Sequence, residues 1–266
     1  MRKTAVSISF FTSIICWTPS STLPGSFDVL AGAGRASAQE SSVPAQVESI
    51  HHEKVIGDNN LMPVASDGEN LPTELIPLID AVGQLNVGCT ATHLGDGLVL
   101  TAGHCISRSP RSGSDNCHLL GVVWGNRGAK PELKSSNCKS VVLRKYDSTY
   151  DFALLRVNNP PKASINIDLN FSSQKAPLTM LSFPRMRPLE WSGNCTLYAY
   201  TDPLRILKKF LHDCDSEGGS SGAALISTDS LAIVGLHNGA SDDLNYGMYI
   251  SASEELKNAL HDALGK

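Results

Sequence analysis

From about residue 82 onward, short apolar runs alternate with turn residues, a pattern of many short strands rather than long helices. Cys89-Thr90-Ala91-Thr92-His93-Leu94 has modest β character, Gly95-Asp96-Gly97 supplies a turn, and Leu98-Val99-Leu100-Thr101 reads as a buried strand. Together they predict a hairpin. Further strands are predicted over 119–124, 140–143, 151–157, 178–183, 195–200, 223–226, 231–236 and 246–250. This spacing predicts an all-β barrel or sandwich. The period then changes. Leu256, Leu260 and Leu264 recur every four residues beside Ala259 and Ala263. Ser251-Ala252-Ser253-Glu254 resembles a capping box and Gly265 is a stop signal, so a helix is predicted over 251–264.

The first 54 residues read differently. Arg2 and Lys3 precede a mostly apolar stretch from Ala5 to Trp17, too short to span a bilayer. Ala36-Ser37-Ala38 fits a small-x-small cleavage site, with an earlier cut near Gly32 to Gly34 as the alternative. Residues 1–38 are thus expected to be a signal peptide, and the mature chain to be secreted or periplasmic without stable membrane association. Residues 39–54 are polar and aperiodic and read as a propeptide or linker, with His51-His52-Glu53 as a solvated tail rather than a metal cluster. Lys54-Val55-Ile56-Gly57 follows, and the Lys54–Val55 bond is a candidate activation cleavage. Residues 55–266 form the expected folded domain.

The chain has 266 residues, 41% of them hydrophobic, enough for a sizeable core. Its formal net charge of −4 gives no basic footprint for nucleic acid. There are seven cysteines. Cys16 lies in the signal; Cys89, Cys105, Cys117, Cys138, Cys195 and Cys214 remain, an even number suited to an oxidising compartment, and fifteen pairings are open to six cysteines. No Cys-x-x-Cys pair occurs, which argues against structural zinc, and neither metal nor cofactor is expected. Nothing demands more than a monomer.

The chemistry gathers in three segments: Thr101-Ala102-Gly103-His104-Cys105, Asp151-Phe152-Ala153-Leu154-Leu155 and Gly218-Gly219-Ser220-Ser221-Gly222. Acyl transfer from an amide needs a nucleophile, a base to take its proton, and a carboxylate to orient the base. Ser221, between Gly219 and Gly222, is the expected nucleophile, with Ser220 as its competitor. His104, where an apolar strand enters a loop, is the expected base; His93 and His118 fit structural histidines better. Asp151, at the mouth of a core strand, is the expected orienting carboxylate, while Asp147 sits in a polar turn with Ser148 and Thr149. The N–H groups of Gly219 and Ser221 are the expected oxyanion donors. The order His, acid, Ser is opposite to that of α/β-hydrolases, whose alternating helices are also missing from the pattern.

These segments resemble the trypsin-like serine endopeptidases, and more narrowly the bacterial glutamyl endopeptidase group, over roughly residues 55–250. Val55-Ile56-Gly57-Asp58, Gly88-Cys89-Thr90, Cys214-Asp215-Ser216-Glu217 and Gly235-Leu236-His237-Asn238-Gly239 add to the likeness. The resemblance implies two packed six-stranded antiparallel β-barrels, about 82–160 and 170–250, with the site in the cleft between them and the helix last. It implies peptide or protein substrates. It also implies a Cys89–Cys105 bridge, leaving Cys195–Cys214 and Cys117–Cys138 as the pairings suggested by position. The uncharged Ser220 stands where many members carry an aspartate that pairs with a freed N-terminus. In the glutamyl group that amine instead helps recognise an acidic side chain. The resemblance gives that part to Val55, with Ser216 and His237 lining the pocket. Glu217 and Asn238 depart from the group's pattern.

Overall fold

The computed structural model describes residues 53–106, 117–129, 133–199 and 208–265. Contacts divide the chain after Val47 into two units, and every described residue lies in the second. The expected signal peptide, its cleavage sites, His51 and His52 lie outside the described residues.

Six strands close the first barrel: β2 (Val82–Leu85), β3 (Cys89–Gly95), β4 (Leu98–Thr101), β5 (Gly121–Trp124), β6 (Lys134–Tyr146) and β7 (Asp151–Val157), in the order β2-β3-β4-β7-β6-β5. A second ring is formed by β8 (Lys175–Ser182), β9 (Glu190–Ala199), β10 (Lys209–His212), β11 (Ala224–Ser227), β12 (Ile233–Ala240) and β13 (Asn245–Tyr249). It closes because β8 pairs with both β9 and β11. A short leading strand, β1 (Met62–Pro63), adds to β9. Both rings are antiparallel throughout, and closure leaves the ring strands no free edge.

The continuous apolar runs have a plain reason: several strands are buried on both faces. Along β7, Ala153, Leu155 and Val157 fill the first barrel, while Phe152 and Leu154 point into a core shared with the second. β11 does the reverse service, with Leu225 inside its own barrel and Ala224 and Ile226 in the shared core. Period-2 alternation thus becomes alternation between two cores rather than between core and water.

Three strands escape the hydrophobic pattern. β1 is only two residues long, β2 contains Gly83 and Gln84, and β10 alternates Lys209-Phe210-Leu211-His212 with too few apolar residues to signal burial. The helix α1 (Glu254–Leu264) begins later than the pattern predicts. Its N-cap is Ser253, whose side chain accepts from the Leu256 N–H, because Ile250–Ala252 forms a 3-10 turn first. Leu256 and Leu260 anchor it on the shared core, and Gly265 caps it in the left-handed conformation. The cysteines pair as Cys89–Cys105, Cys117–Cys138 and Cys195–Cys214.

Candidate active site

Strand register sets the first two groups. In the β4–β7 pair, Thr101 faces Ala153. Continuing that antiparallel register by two residues brings Asp151 opposite Gly103, one residue before His104. Asp151 is buried, and both its oxygens are engaged by that one residue. Oδ1 accepts the His104 backbone N–H at 2.8 Å and Oδ2 meets Nδ1 of the ring at 2.7 Å. A carboxylate held on Nδ1 fixes the tautomer with Nδ1–H and makes Nε2 the basic nitrogen of the ring. From the second barrel, Asn238 donates to the Asp151 backbone carbonyl at 2.8 Å.

The serine loop belongs to the second barrel but is fastened to the first. Thr90 on β3 donates its backbone N–H to the Ser221 carbonyl and its hydroxyl to the Gly219 carbonyl, each at 2.9 Å. The same hydroxyl accepts from the Phe183 N–H at 3.0 Å. Thr90 follows Cys89, which is bridged to Cys105, the neighbour of His104. Cys105 Sγ lies 3.9 Å from the Ser221 carbonyl oxygen. One disulfide and one threonine therefore bring the His104 and Ser221 segments to the same place.

Glycine is needed twice in this loop. Gly219 has φ 108° and Gly222 has φ 83°, a region L side chains rarely adopt. A Cβ on Gly219 would collide with the Phe183 carbonyl, and one on Gly222 with Thr101 and the Thr90 carbonyl. Ser220 turns inward, its hydroxyl 3.1 Å from that of Ser182. Ser221 turns toward the cleft.

What Ser221 meets there is Glu53. Its hydroxyl donates to Glu53 Oε1 at 2.5 Å. Burial pushes the Glu53 carboxyl above its ordinary value, while the Ser221 hydroxyl, the Ser221 backbone amide and the His104 charge act to lower it. The expectation of a solvated tail at Glu53 is therefore corrected. Hydrogen bonds to the second barrel outweigh the polarity of the segment, and the side chain is 2% exposed.

The pocket around this carboxylate is built by the second barrel. His237 on β12 places Nε2 3.8 Å from Glu53 Oε1. Its other nitrogen, Nδ1, lies 3.0 Å from Nε2 of His212 on β10. Burial drives the His212 pKa down to about 3, so that ring is neutral at ordinary pH. The two rings share one hydrogen between these nitrogens, and His237 turns its Nε2 toward the pocket. Ser216 is buried, and its hydroxyl accepts the Lys54 N–H at 3.2 Å. The backbone amide at this point belongs to Lys54, one residue before Val55.

Two other carboxylates are already committed. Asp215 accepts the Ile56 N–H at 2.7 Å and the Asn60 N–H at 2.6 Å, so it anchors the incoming chain rather than facing the pocket. Glu217 is bound by Arg185 at 2.8 Å and by Arg187 at 2.5 Å, which neutralises the charge that its position would otherwise set against an acidic ligand. His93 is a satisfied structural histidine, between the Ala163 carbonyl at 2.7 Å and the Gly97 N–H at 3.1 Å. Asp147 holds the turn at Thr149 and Tyr150. Cys89, His104 and Cys105 cluster within 4.8 Å, but a disulfide offers no thiolate to a metal.

Glu53, His212, Asp215 and Asn245 were not singled out by sequence reasoning as site residues. A lone histidine in a short polar strand and a carboxylate in a tail carry no motif. Only the second barrel's closure places them.

The family model described as Trypsin matches residues 78–203, the first barrel and the start of the second. No curated protein matches the chain. Among solved structures, a Glu endopeptidase is similar at a TM-score of 0.58 and 20% identity, covering 80% of this chain and 100% of that one. The Rv3671c protease of M. tuberculosis, in an inactive form, is similar at a TM-score of 0.52 and 19% identity, covering 76% and 99%.

Proposed function

We propose that this trypsin-like serine endopeptidase works through His104, Asp151 and Ser221, prefers an acidic residue before the scissile bond, and acts outside the cytoplasm as a monomer. The observation that carries the reading is the carboxylate at Ser221. Its Oε1 accepts the Ser221 hydroxyl at 2.5 Å, within the field of a histidine whose Nδ1 is held by a buried aspartate.

In that arrangement His104 Nε2 takes the Ser221 proton as Oγ attacks the substrate carbonyl, and returns it to the leaving amine. Asp151 stabilises the imidazolium formed between these steps. The amides of Gly219 and Ser221 take up the oxyanion, worth about 3–4 kcal/mol of barrier per donor. Water then hydrolyses the acyl-enzyme by the same route reversed. Supporting an acidic preference are His237 and Ser216 in the pocket and the pairing of Glu217 with two arginines. The three disulfides support an oxidising compartment, in keeping with a signal peptide over 1–38. No helix among the described residues is long and apolar enough to cross a membrane.

A peptide-library cleavage profile of the processed protein tests this. Cuts after glutamate and aspartate, lost in Ser221→Ala, are expected. Turnover that survives Ser221→Ala would refute the nucleophile, and cuts spread over neutral residues would refute the preference.

A further inference from the structure

Glu53 has no part in the proposed catalysis, yet its side chain fills the space that a substrate needs. Its carboxylate is bonded to the Ser221 hydroxyl and faces His237. The backbone beneath it is clasped at the pocket floor. Lys54 donates its N–H toward both Ser216 Oγ at 3.2 Å and Asn245 Oδ1 at 3.0 Å. Its carbonyl accepts from the Ser216 N–H at 3.1 Å and from Asn245 Nδ2 at 2.6 Å. Asn245 is itself held by the Cys214 carbonyl. The chain thus enters the pocket from below and pushes Glu53 up to the nucleophile.

Two features of this clasp point to one bond. First, a single amide hydrogen on Lys54 stands before two acceptors and cannot serve both well. An α-ammonium there would have three hydrogens: one for Ser216, one for Asn245 and one for a ligand carboxylate. Second, the residue on the other side of that nitrogen is a glutamate whose carboxylate the pocket already accommodates.

We propose that the Glu53–Lys54 peptide bond is the processing site of this chain, cut by an already processed second copy, and that until then Glu53 plugs the pocket. This rests on the proposed triad and acidic preference. The cut cannot be made within one molecule in this arrangement. The Glu53 carbonyl is joined to the Lys54 nitrogen at the floor, beside Ser216 and Asn245, while only the Glu53 side chain reaches Ser221. In the second copy, Ser221 Oγ adds to the Glu53 carbonyl carbon, the C–N bond breaks, and His104 delivers its proton to the Lys54 nitrogen. Water then cleaves the ester, leaving a carboxylate on Glu53. The new α-amine, with an ordinary pKa of about 7.7–8.0, carries a positive charge at neutral pH. The plug can then leave, and Lys54 stays at the floor as a cation for the substrate's acid.

The test uses the full-length Ser221→Ala chain, which cannot process itself, mixed with a trace of processed wild type. N-terminal sequencing and intact mass should show Lys54 as the new first residue. Adding Glu53→Gln to the Ser221→Ala chain should slow the cut. A new terminus at Val55, or no cut between residues 48 and 60, overturns the proposal. A second measurement reads the plug directly, as the rate of fluorophosphonate labelling of Ser221 in uncut wild type and uncut Glu53→Ala. Removing the plug should raise that rate about tenfold or more, since the plug lowers the competent fraction by that factor. Equal rates overturn the plug and leave the catalytic reading standing. No labelling in either chain or in the processed enzyme overturns both. A processed enzyme that labels but cuts glutamate and glutamine peptides equally removes the second copy as the agent.

Discussion

The two barrels share an architecture but hold their parts of the site in different ways. In the first, His104 and Asp151 are set mainly by strand register, where the end of β4 meets the start of β7, with the Cys89–Cys105 bridge beside them. In the second, the serine loop, the pocket and the entering chain are held by side chains clasping backbone. Thr90 grips Ser221 and Gly219, Asn245 and Ser216 grip Lys54, and Asp215 grips Ile56 and Asn60. Register is rigid and inherited from the sheet. Clasps are local and can be made or lost with one residue, so they suit a region whose occupant changes on processing.

The largest effect should come from removing the chemistry while leaving both holding schemes intact. Ser221→Ala or His104→Ala should lower kcat by at least about 10^4-fold, and Asp151→Asn by a similar factor through the wrong tautomer. For Ser221→Ala cut in trans, so that Glu53 no longer meets the hydroxyl, the thermal midpoint should stay within about a degree or two of processed wild type; in the uncut chain the loss of the bond to the buried Glu53 should lower it further.

Next comes the clasp that joins the barrels. Thr90→Val keeps the shape but strands the Gly219 carbonyl and the Phe183 N–H. Stability should fall by about 2–4 kcal/mol for these two buried groups, with kcat falling as well because the serine loop loosens. Thermal denaturation and single-turnover kinetics on one preparation read both. A loss of stability with kcat unchanged would mean that the Thr90 hydroxyl is not needed to place the loop and that its backbone bond to the Ser221 carbonyl suffices.

His212 separates the barrels by pH. Its pKa falls from 6.5 to about 3 on folding. Above pH 6.5 both states are neutral, so its contribution to stability is complete. As pH drops from 6.5 toward 3, the unfolded chain binds a proton that the folded chain refuses, and stability is lost, on the order of a few kcal/mol in all. Urea midpoints measured down this range should fall more steeply for wild type than for His212→Gln. Equal slopes would show that His212 is not buried as described.

The smallest effect belongs to a single clasp in the pocket. Ser216→Ala should raise KM for glutamate peptides about tenfold, with less change in kcat, since a lost ground-state contact weakens binding of substrate and transition state alike. An equal rise for glutamine peptides would detach Ser216 from recognition of charge.

The candidate triad was legible in the chain because each member sits in a distinctive local setting: an apolar strand ending in Gly-His-Cys, an aspartate opening a core strand, a serine between glycines. β3, β4 and β7 were legible for the same reason, their residues being apolar enough to mark burial. β2 and β10 were not, since closing a ring can enlist strands with little apolar character of their own. Val55 was singled out from its sequence context, yet the amide at Ser216 is that of Lys54. Peptide bonds look alike in sequence, and only the clasp of Asn245 and Ser216 distinguishes one from the next.

From sequence alone came the all-β class, the buried strands, and the three residue types that acyl transfer requires. These depend on local pattern: where apolar side chains repeat, where a glycine frees the backbone, which groups can donate or take a proton. The tertiary structure alone decided that a polar tail residue is buried against Ser221, that His212 stands behind His237, and that Asp215 and Glu217 face other partners. Each depends on which distant backbone groups are left to be satisfied once both barrels have closed, and pairing of that kind has no signature in the order of residues along the chain.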